Sequence, residues 1–345
     1  MRTNEKVLRI LEEGRGQYLS GEEIADRLSL SRNAVWKAVS SLKNEGYKIA
    51  SQTKRGYCLL KTNDILSAAG ILKELRVDFQ DGEVPLKEEQ IHIYPTVSST
   101  NQEAIRLAAE EAEGMQLVIA DTQSKGRGHQ KHSFLSPKGG IYMSLLLHPE
   151  DLPFATESSA ILTAYGAVSV AKAIEKKTAY EIQIKWVNDL FLDRKKVCGI
   201  LTEAGSDFES GHLKWIVIGI GINFSTGISD FPEELQKQVT SLYPSDQEEK
   251  GEHITRNELI AQILKELLSG SGQVEERDEN LELLLEEYRK RLLYIGEKRT
   301  LLPLSDKMSP FSATLKGVDE EGRLIVLKED GEEEKLSFSQ WTVEH

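Results

Sequence analysis

Four short segments hold residue types suited to a polar, anionic ligand. Ser98-Ser99-Thr100-Asn101-Gln102 places hydroxyls and carboxamides at a strand-to-helix junction. Thr100 and Glu103 also form an S/T-x-x-E box, so helix capping is the simplest role, and ligand contact is compatible with it. In Thr122-Gln123-Ser124-Lys125-Gly126-Arg127-Gly128 two glycines flank an arginine. Glycines let the backbone close on a ligand, while the guanidinium offers a fixed fork to carboxylate or phosphate. A flexible basic turn is the bland alternative. The segment lacks the Walker order, and Lys131 stands where a GxGxxG loop needs its last glycine. In Ile184-Lys185-Trp186-Val187-Asn188-Asp189-Leu190, Lys185 interrupts an apolar strand. Such a lysine either snorkels to water or meets an anion. Finally, Lys196–Glu203 precedes Val217–Asn223, where Gly219 and Gly221 alternate with isoleucines. That strand has one bulky face and one bare face, fit for a flat ligand or a closely packed helix.

The elements around these segments divide the chain. Residues 1–62 read as a winged helix-turn-helix. Val7, Leu8, Ile10 and Leu11 mark a first helix; Ser20 with Glu23 starts a second over Ile24, Ala25 and Leu28. Ser31 starts a third, whose buried stripe is Val35, Ala38, Val39 and Leu42, and Gly46 ends it. Lys54-Arg55-Gly56-Tyr57 forms the tip of a β-hairpin wing. Residues 63–85 read as a linker, with a helix from Asn63 to Val77 and an acidic loop beyond it. Residues 86–296 mix strands (Gln116–Ala120, Ile141–Leu147, Gln183–Trp186, Trp215–Ile222) with helices (Asn101–Glu113, Glu157–Lys176, Arg256–Ser269, Asn280–Tyr294). Residues 297–345 hold short strand-like runs, which suggest a small β-barrel.

Composition narrows the class. The chain of 345 residues carries a net charge of −13. Residues 1–60 hold 11 Lys/Arg against 7 Asp/Glu, a balance of +4, which leaves −17 for the rest. A DNA-binding head on an acidic body fits this asymmetry. Two distant cysteines, Cys58 and Cys198, fit a reducing cytoplasm and offer neither a disulfide nor a zinc framework. CxxC and HExxH clusters are absent, so no protein-held metal is expected. No apolar run is long enough to span a bilayer.

Taken together, the four segments resemble the biotin–protein ligase family over essentially the whole chain. The head resembles its bifunctional subgroup, which also represses the biotin operon. The resemblance implies an α+β multidomain fold: winged helix-turn-helix head, central mixed α/β ligase domain of the class II synthetase kind, SH3-like C-terminal β-barrel. It implies two steps. Biotin and ATP, with Mg2+, give biotinyl-5′-AMP, and a lysine of a biotin carboxyl carrier protein then attacks that adenylate. Lys185 and Arg127 match the positions that offset negative charge in this chemistry. Ser99, Thr100, Asn101, Gln123, Gly126, Gly128 and His129, again with Arg127 and Lys185, match the biotin pocket and its loop; Asn188, Gly221 and Asn223 match the nucleotide border. In the head, Arg32, Asn33, Lys37 and Ser40, with Lys54 and Arg55 of the wing, match a DNA-contacting surface. The resemblance further implies a homodimer with the adenylate as corepressor.

The sequence departs from the family at several points. The usual Gly-Arg-Gly-Arg-x-Gly-Arg loop continues here as His129-Gln130-Lys131-His132, Phe134 replaces a tryptophan, and Val187 replaces the proline of KWPND. A permanent cation becomes an imidazole. A weaker hold on the adenylate and a looser Val187 turn are therefore expected. Two other readings compete: a biotin-sensing regulator with little ligase activity, favoured by the altered loop, and a lipoate-type ligase, disfavoured by the head and the KWxND segment.

Overall fold

The computed structural model describes every residue except 1, 78–83, 130–132, 155, 157, 207–210, 245–252, 270–276, 306–307 and 345. The chain divides into two units: residues 1–89 with 251–262, and residues 90–250 with 263–345.

In the first unit, α1 (Thr3–Glu13), α2 (Gly21–Leu28) and α3 (Arg32–Asn44) precede a hairpin of β1 (Ile49–Gln52) and β2 (Gly56–Leu59), and α4 (Ala68–Arg76) follows. The local signals act as expected. Ser20 Oγ accepts from Glu23 N at 3.0 Å and Ser31 Oγ from Ala34 N at 3.1 Å, which satisfies helix donors that otherwise lack partners. The core joins Val7 and Leu11 of α1, Ile24 of α2 and Val35, Val39 and Leu42 of α3. The linker helix is shorter than expected. Asn63 instead accepts Lys48 N on its Oδ1 (2.9 Å), and Ser67 Oγ accepts Gly70 N to start α4. Part of the acidic loop lies outside the described residues.

The second unit contains β3 (Ile91–Val97), α5 (Thr100–Ala109), β4 (Gln116–Gln123), β5 (Ile141–Leu147), α6 (Ser159–Lys177), β6 (Gln183–Lys185), β7 (Asp189–Leu192), β8 (Lys195–Ser206), β9 (Leu213–Ile222) and α7 (Glu233–Gln236). After these come α8 (Arg256–Leu268), whose residues up to Gln262 belong to the first unit, and α9 (Arg277–Arg291). The seven strands pair in the order β3-β4-β5-β9-β8-β7-β6; β3 and β4 run parallel and the other neighbours antiparallel. β5 is buried along its whole length, as a sheet covered on both faces requires. Side chains alternate across the sheet: α5 packs toward Val217 and Gly219, and α6 toward Ile218 and Ile200, so the two helices cover opposite faces. A helix so enclosed needs no polar stripe, and α6 is buried at every position from Ala160 to Ala171, and again at Ala173 and Ile174.

The last strands are β10 (Lys298–Pro303), β11 (Phe311–Val318), β12 (Leu324–Leu327), β13 (Glu333–Leu336) and β14 (Trp341–Val343). The expected barrel is instead an open sheet, ordered β13-β12-β11-β10-β14. Its edges are the short strands β13 and β14, and among the described residues no ladder joins them. Among the described residues no helix is long and apolar enough to cross a membrane.

Candidate functional site

The four segments converge on one cavity of about 430 Å³ in the second unit. Ser99, Thr100 and Asn101 line it from the start of α5, Gln123 from the end of β4, and Arg127, Gly128 and His129 from the following loop. Asn188 and Asp189 come from the β6–β7 turn, and Gly219 and Gly221 from β9.

The α5 junction corrects one expectation. Ser99 is the N-cap and Thr100 the first helical residue, and Ser99 makes no side-chain capping bond. Gln123 caps the helix from β4: its Oε1 accepts Thr100 N at 2.8 Å. Gln123 is held in turn, donating through Nε2 to Ser136 Oγ at 2.9 Å. Thr100 Oγ1 donates to Gln123 Oε1 at 3.2 Å and lies 2.8 Å from the Ser144 hydroxyl. Ser144 donates to Asn101 Oδ1 at 2.6 Å, and Asn101 Nδ2 donates to Glu203 Oε2 at 2.9 Å. Glu203 Oε1 is 3.3 Å from the Arg127 guanidinium. A polar chain therefore runs from the loop's arginine to the helix N-terminus through paired groups.

The bare face of β9 is covered by protein side chains. A Cβ on Gly219 would lie 1.9 Å from Asn101 Oδ1, and one on Gly221 2.5 Å from the Phe134 ring. The glycines are needed because these side chains pass where a methyl group would stand. Phe134 and the Lys196–Asp189 pair (2.6 Å) border the main cavity and a second, apolar one of about 240 Å³, which Leu135, Phe231, Leu235 and Val239 also line. Asn223 faces this second cavity; its Nδ2 donates to Thr240 O, and its buried Oδ1 has no partner among the described residues.

Lys185 is 8% exposed and does not line the main cavity, but Asp189 and Lys196, its charged neighbours, do. Burial lowers its pKa, Lys196 and Arg299 lower it further, and Asp189 and Glu344 oppose them. Among the described residues its ammonium forms no hydrogen bond or ion pair, and the neighbouring Asp189 carboxylate pairs with Lys196 instead. An incoming anion would relieve that cost.

The turn after Lys185 is not loose. Val187 is 5% exposed and its carbonyl accepts from Tyr288 OH at 3.0 Å, while Trp186 Nε1 donates to Gly322 O at 2.9 Å. The arginine loop closes through Phe134 N to Gly126 O (2.9 Å), and a Cβ on Gly126 would strike Phe134 O. His129 lies near Phe338, with ring centroids 5.5 Å apart. Gln130, Lys131 and His132 lie outside the described residues. Sequence reasoning misses Ser136, Ser144 and Glu203; a lone serine inside the apolar run of β5 is the available signal for Ser144. Among the described residues no three His, Cys, Asp or Glu side chains converge to hold a metal.

In the first unit, Arg32, Asn33 and Lys37 are exposed on α3 and Ser40 is partly exposed. Lys54 and Arg55 are exposed at the wing tip, where the Arg55 guanidinium lies 4.3 Å from the Tyr18 ring centre.

A mixed sheet carrying this cavity, in a chain that also holds a helix-turn-helix unit, defines the class. Residues 93–223 match the Biotin/lipoate A/B protein ligase family and residues 3–58 an HTH domain. The chain is 34% identical over 259 residues, 75% of each chain, to the bifunctional ligase/repressor BirA of Bacillus subtilis (strain 168). It is 28% identical over 317 residues, 92% of this chain and 90% of the relative, to that of Escherichia coli (strain K12). The biotin protein ligase of Aquifex aeolicus in complex with biotin and ATP superposes with a TM-score of 0.60 at 27% identity, covering 74% of this chain and 98% of that one. The chain belongs to the family of bifunctional biotin–protein ligase/repressors.

Proposed function

We propose that the chain activates biotin with ATP and transfers it to a lysine of a biotin carboxyl carrier protein. The pairing of a cavity of mixed polarity with a mostly apolar neighbour across Phe134 carries this reading, because a ligand of two unlike halves fits it. Ser99, Thr100, Asn101 and Gln123 line the wall that would meet biotin's uncharged ureido ring, where the Ser99 hydroxyl makes no capping bond and the other three would exchange protein partners for the ligand. Asn223 Oδ1, buried and without a partner among the described residues, would accept from an exocyclic amino group of adenine.

A biotin carboxylate oxygen attacks the α-phosphorus of ATP, the phosphorus–oxygen bond to the β-phosphate breaks, and pyrophosphate leaves. Both reactants are anionic. Lys185 and Arg127 offset the charge that gathers in the transition state. The carrier lysine then attacks the carbonyl carbon, and AMP departs. Asp189 is the one carboxylate among the described lining residues and already pairs with Lys196, so magnesium would enter with the nucleotide, held mainly by phosphate oxygens. His129 in place of the family's second loop arginine weakens the hold on biotinyl-5′-AMP.

We assign residues 1–62 to operator binding, 63–85 to the linker, 86–296 to activation and transfer, and 297–345 to the C-terminal domain. Arg32, Asn33, Lys37, Ser40, Lys54 and Arg55 face DNA. The protein acts as a homodimer whose DNA affinity rises with bound biotinyl-5′-AMP, a linkage in which the ligand favours the DNA-competent dimer.

The test is biotin transfer to a biotin carboxyl carrier domain with ATP and magnesium, comparing wild type with Lys185→Ala. Transfer by wild type and strong impairment in the variant support the reading. Biotin binding without pyrophosphate release from wild type would leave only a sensor.

A further inference from the structure

We propose that Trp36 reads base identity for the head, by packing its indole against the 5-methyl group of a thymine in the major groove. The proposal deepens the DNA-binding reading above and rests on it.

Helix α3 buries Val35, Ala38, Val39 and Leu42, and its core stripe is complete without an aromatic residue. Trp36 lies on the other side and is 57% exposed. A tryptophan there keeps in water a large apolar surface that burial would favour. It stands four residues after Arg32, three after Asn33 and four before Ser40, so these side chains share one surface. Lys37 is exposed beside it. At the far end of the helix, Lys43 Nζ donates to Ser51 Oγ of the wing at 2.7 Å, which ties a third cation into the same head.

Charge points to the partner. The chain has 56 Asp and Glu, yet none of the thirteen residues of α3 is acidic. An apolar side chain set among cations, on a helix free of carboxylates, suits a surface that is anionic at its rim and apolar within. The major groove is such a surface: phosphates border it, and the thymine methyl is the apolar group on its base edges. The N-terminal part of a recognition helix is the part that approaches base edges, and Trp36 is the fifth residue of α3. Arginine and lysine contacts to phosphate would fix the register, and Trp36 would select the base.

The test uses the full chain with biotin, ATP and magnesium, and a randomised DNA duplex as the probe. Duplexes enriched by wild type are sequenced, and each thymine in the shared motif is replaced by uracil, which removes only the methyl group. At one thymine, uracil should weaken wild-type binding about fourfold, the factor that burying one methyl group supplies. Trp36→Ala should bind the thymine and uracil duplexes equally, with the salt dependence unchanged because phosphate contacts remain. Trp36→Phe should restore part of the discrimination, and it keeps the test decisive should the alanine variant fail to fold. A uracil penalty that survives in Trp36→Ala overturns the proposal. So does a change in solution mass with no change in base preference, which would make this face a contact between copies. If wild type enriches no sequence, the DNA-binding reading fails and this proposal fails with it.

Discussion

Glu12 in the first unit and Lys185 in the second are both buried ionisable side chains, in opposite surroundings. The Arg15 guanidinium grips Glu12 at 2.7 and 2.8 Å, and Ser67 Oγ donates to it at 3.4 Å. Burial still raises the Glu12 pKa, but Arg15, Lys73 and Ser67 oppose that shift. Around Lys185, Asp189 and Glu344 oppose the effect of burial while Lys196 and Arg299 add to it, and among the described residues no carboxylate bonds its ammonium directly, because Asp189 pairs with Lys196. Under the proposed function, the difference separates a charge that the fold satisfies from one left for a ligand. A paired buried ion belongs to the scaffold, whereas an unpaired one marks the site where an opposite charge arrives.

The sharpest way to break this comparison is Lys185→Met. Pyrophosphate exchange should fall by roughly 10²–10³-fold, the scale for losing a transition-state charge partner. The melting temperature should hold or rise by about 2–4 °C per kcal/mol gained, because a desolvated charge has gone. Calorimetry showing a markedly lower melting temperature would make Lys185 part of the scaffold. Arg15→Leu is the converse. It strands Glu12, and chemical denaturation should report a loss of about 3 kcal/mol. The sign of its pH dependence follows from the Glu12 shift. Without Arg15 the folded pKa rises further above the unfolded one, so the folded state binds the extra proton and the variant recovers stability as pH falls.

Gly219→Ala tests the polar chain. Its methyl group would displace the Asn101 carboxamide, and calorimetric titration should show biotin affinity about tenfold weaker, the scale of one lost buried hydrogen bond. The smallest expected effect is on pH. Lys185 loses its proton at lower pH than an ordinary lysine, and only the ammonium offsets charge. The rate of activation should therefore decline on the alkaline side earlier than a free lysine would dictate, and Lys185→Arg should remove that decline in a pH–rate profile.

What is legible in the sequence is mostly local. The Ser20 and Ser31 caps and the apolar stripe of α3 depend on neighbours three or four residues away, and the head follows from them. Lys185 is legible because a lysine in an apolar strand demands an explanation. The order of the seven strands is not, since it depends on pairings between distant segments. The twelve-residue β8 does not declare itself as a strand, and of β3, interrupted by Pro95 and partly exposed, only its junction with the following helix does. The cap of α5 is hidden for a related reason: Thr100 and Glu103 satisfy a local pattern, while the acceptor that wins, Gln123, arrives from another strand. The covering of Gly219 and Gly221 by Asn101 and Phe134 is equally hidden, because bare glycines do not announce which side chain will cover them.

The cap supplied by Gln123 has a consequence for how this protein can change over generations. Because α5 does not depend on the Ser99 side chain for its first turn, a hydroxyl lining the cavity carries little responsibility for keeping the helix wound. Residue 99 can therefore drift, altering what the cavity prefers, while the helix persists. Gln123 has no such latitude, since a substitution there removes the anchor of the helix and the lining of the cavity at once. Lineages adapting to a modified substrate should accumulate replacements at 99 long before they touch 123.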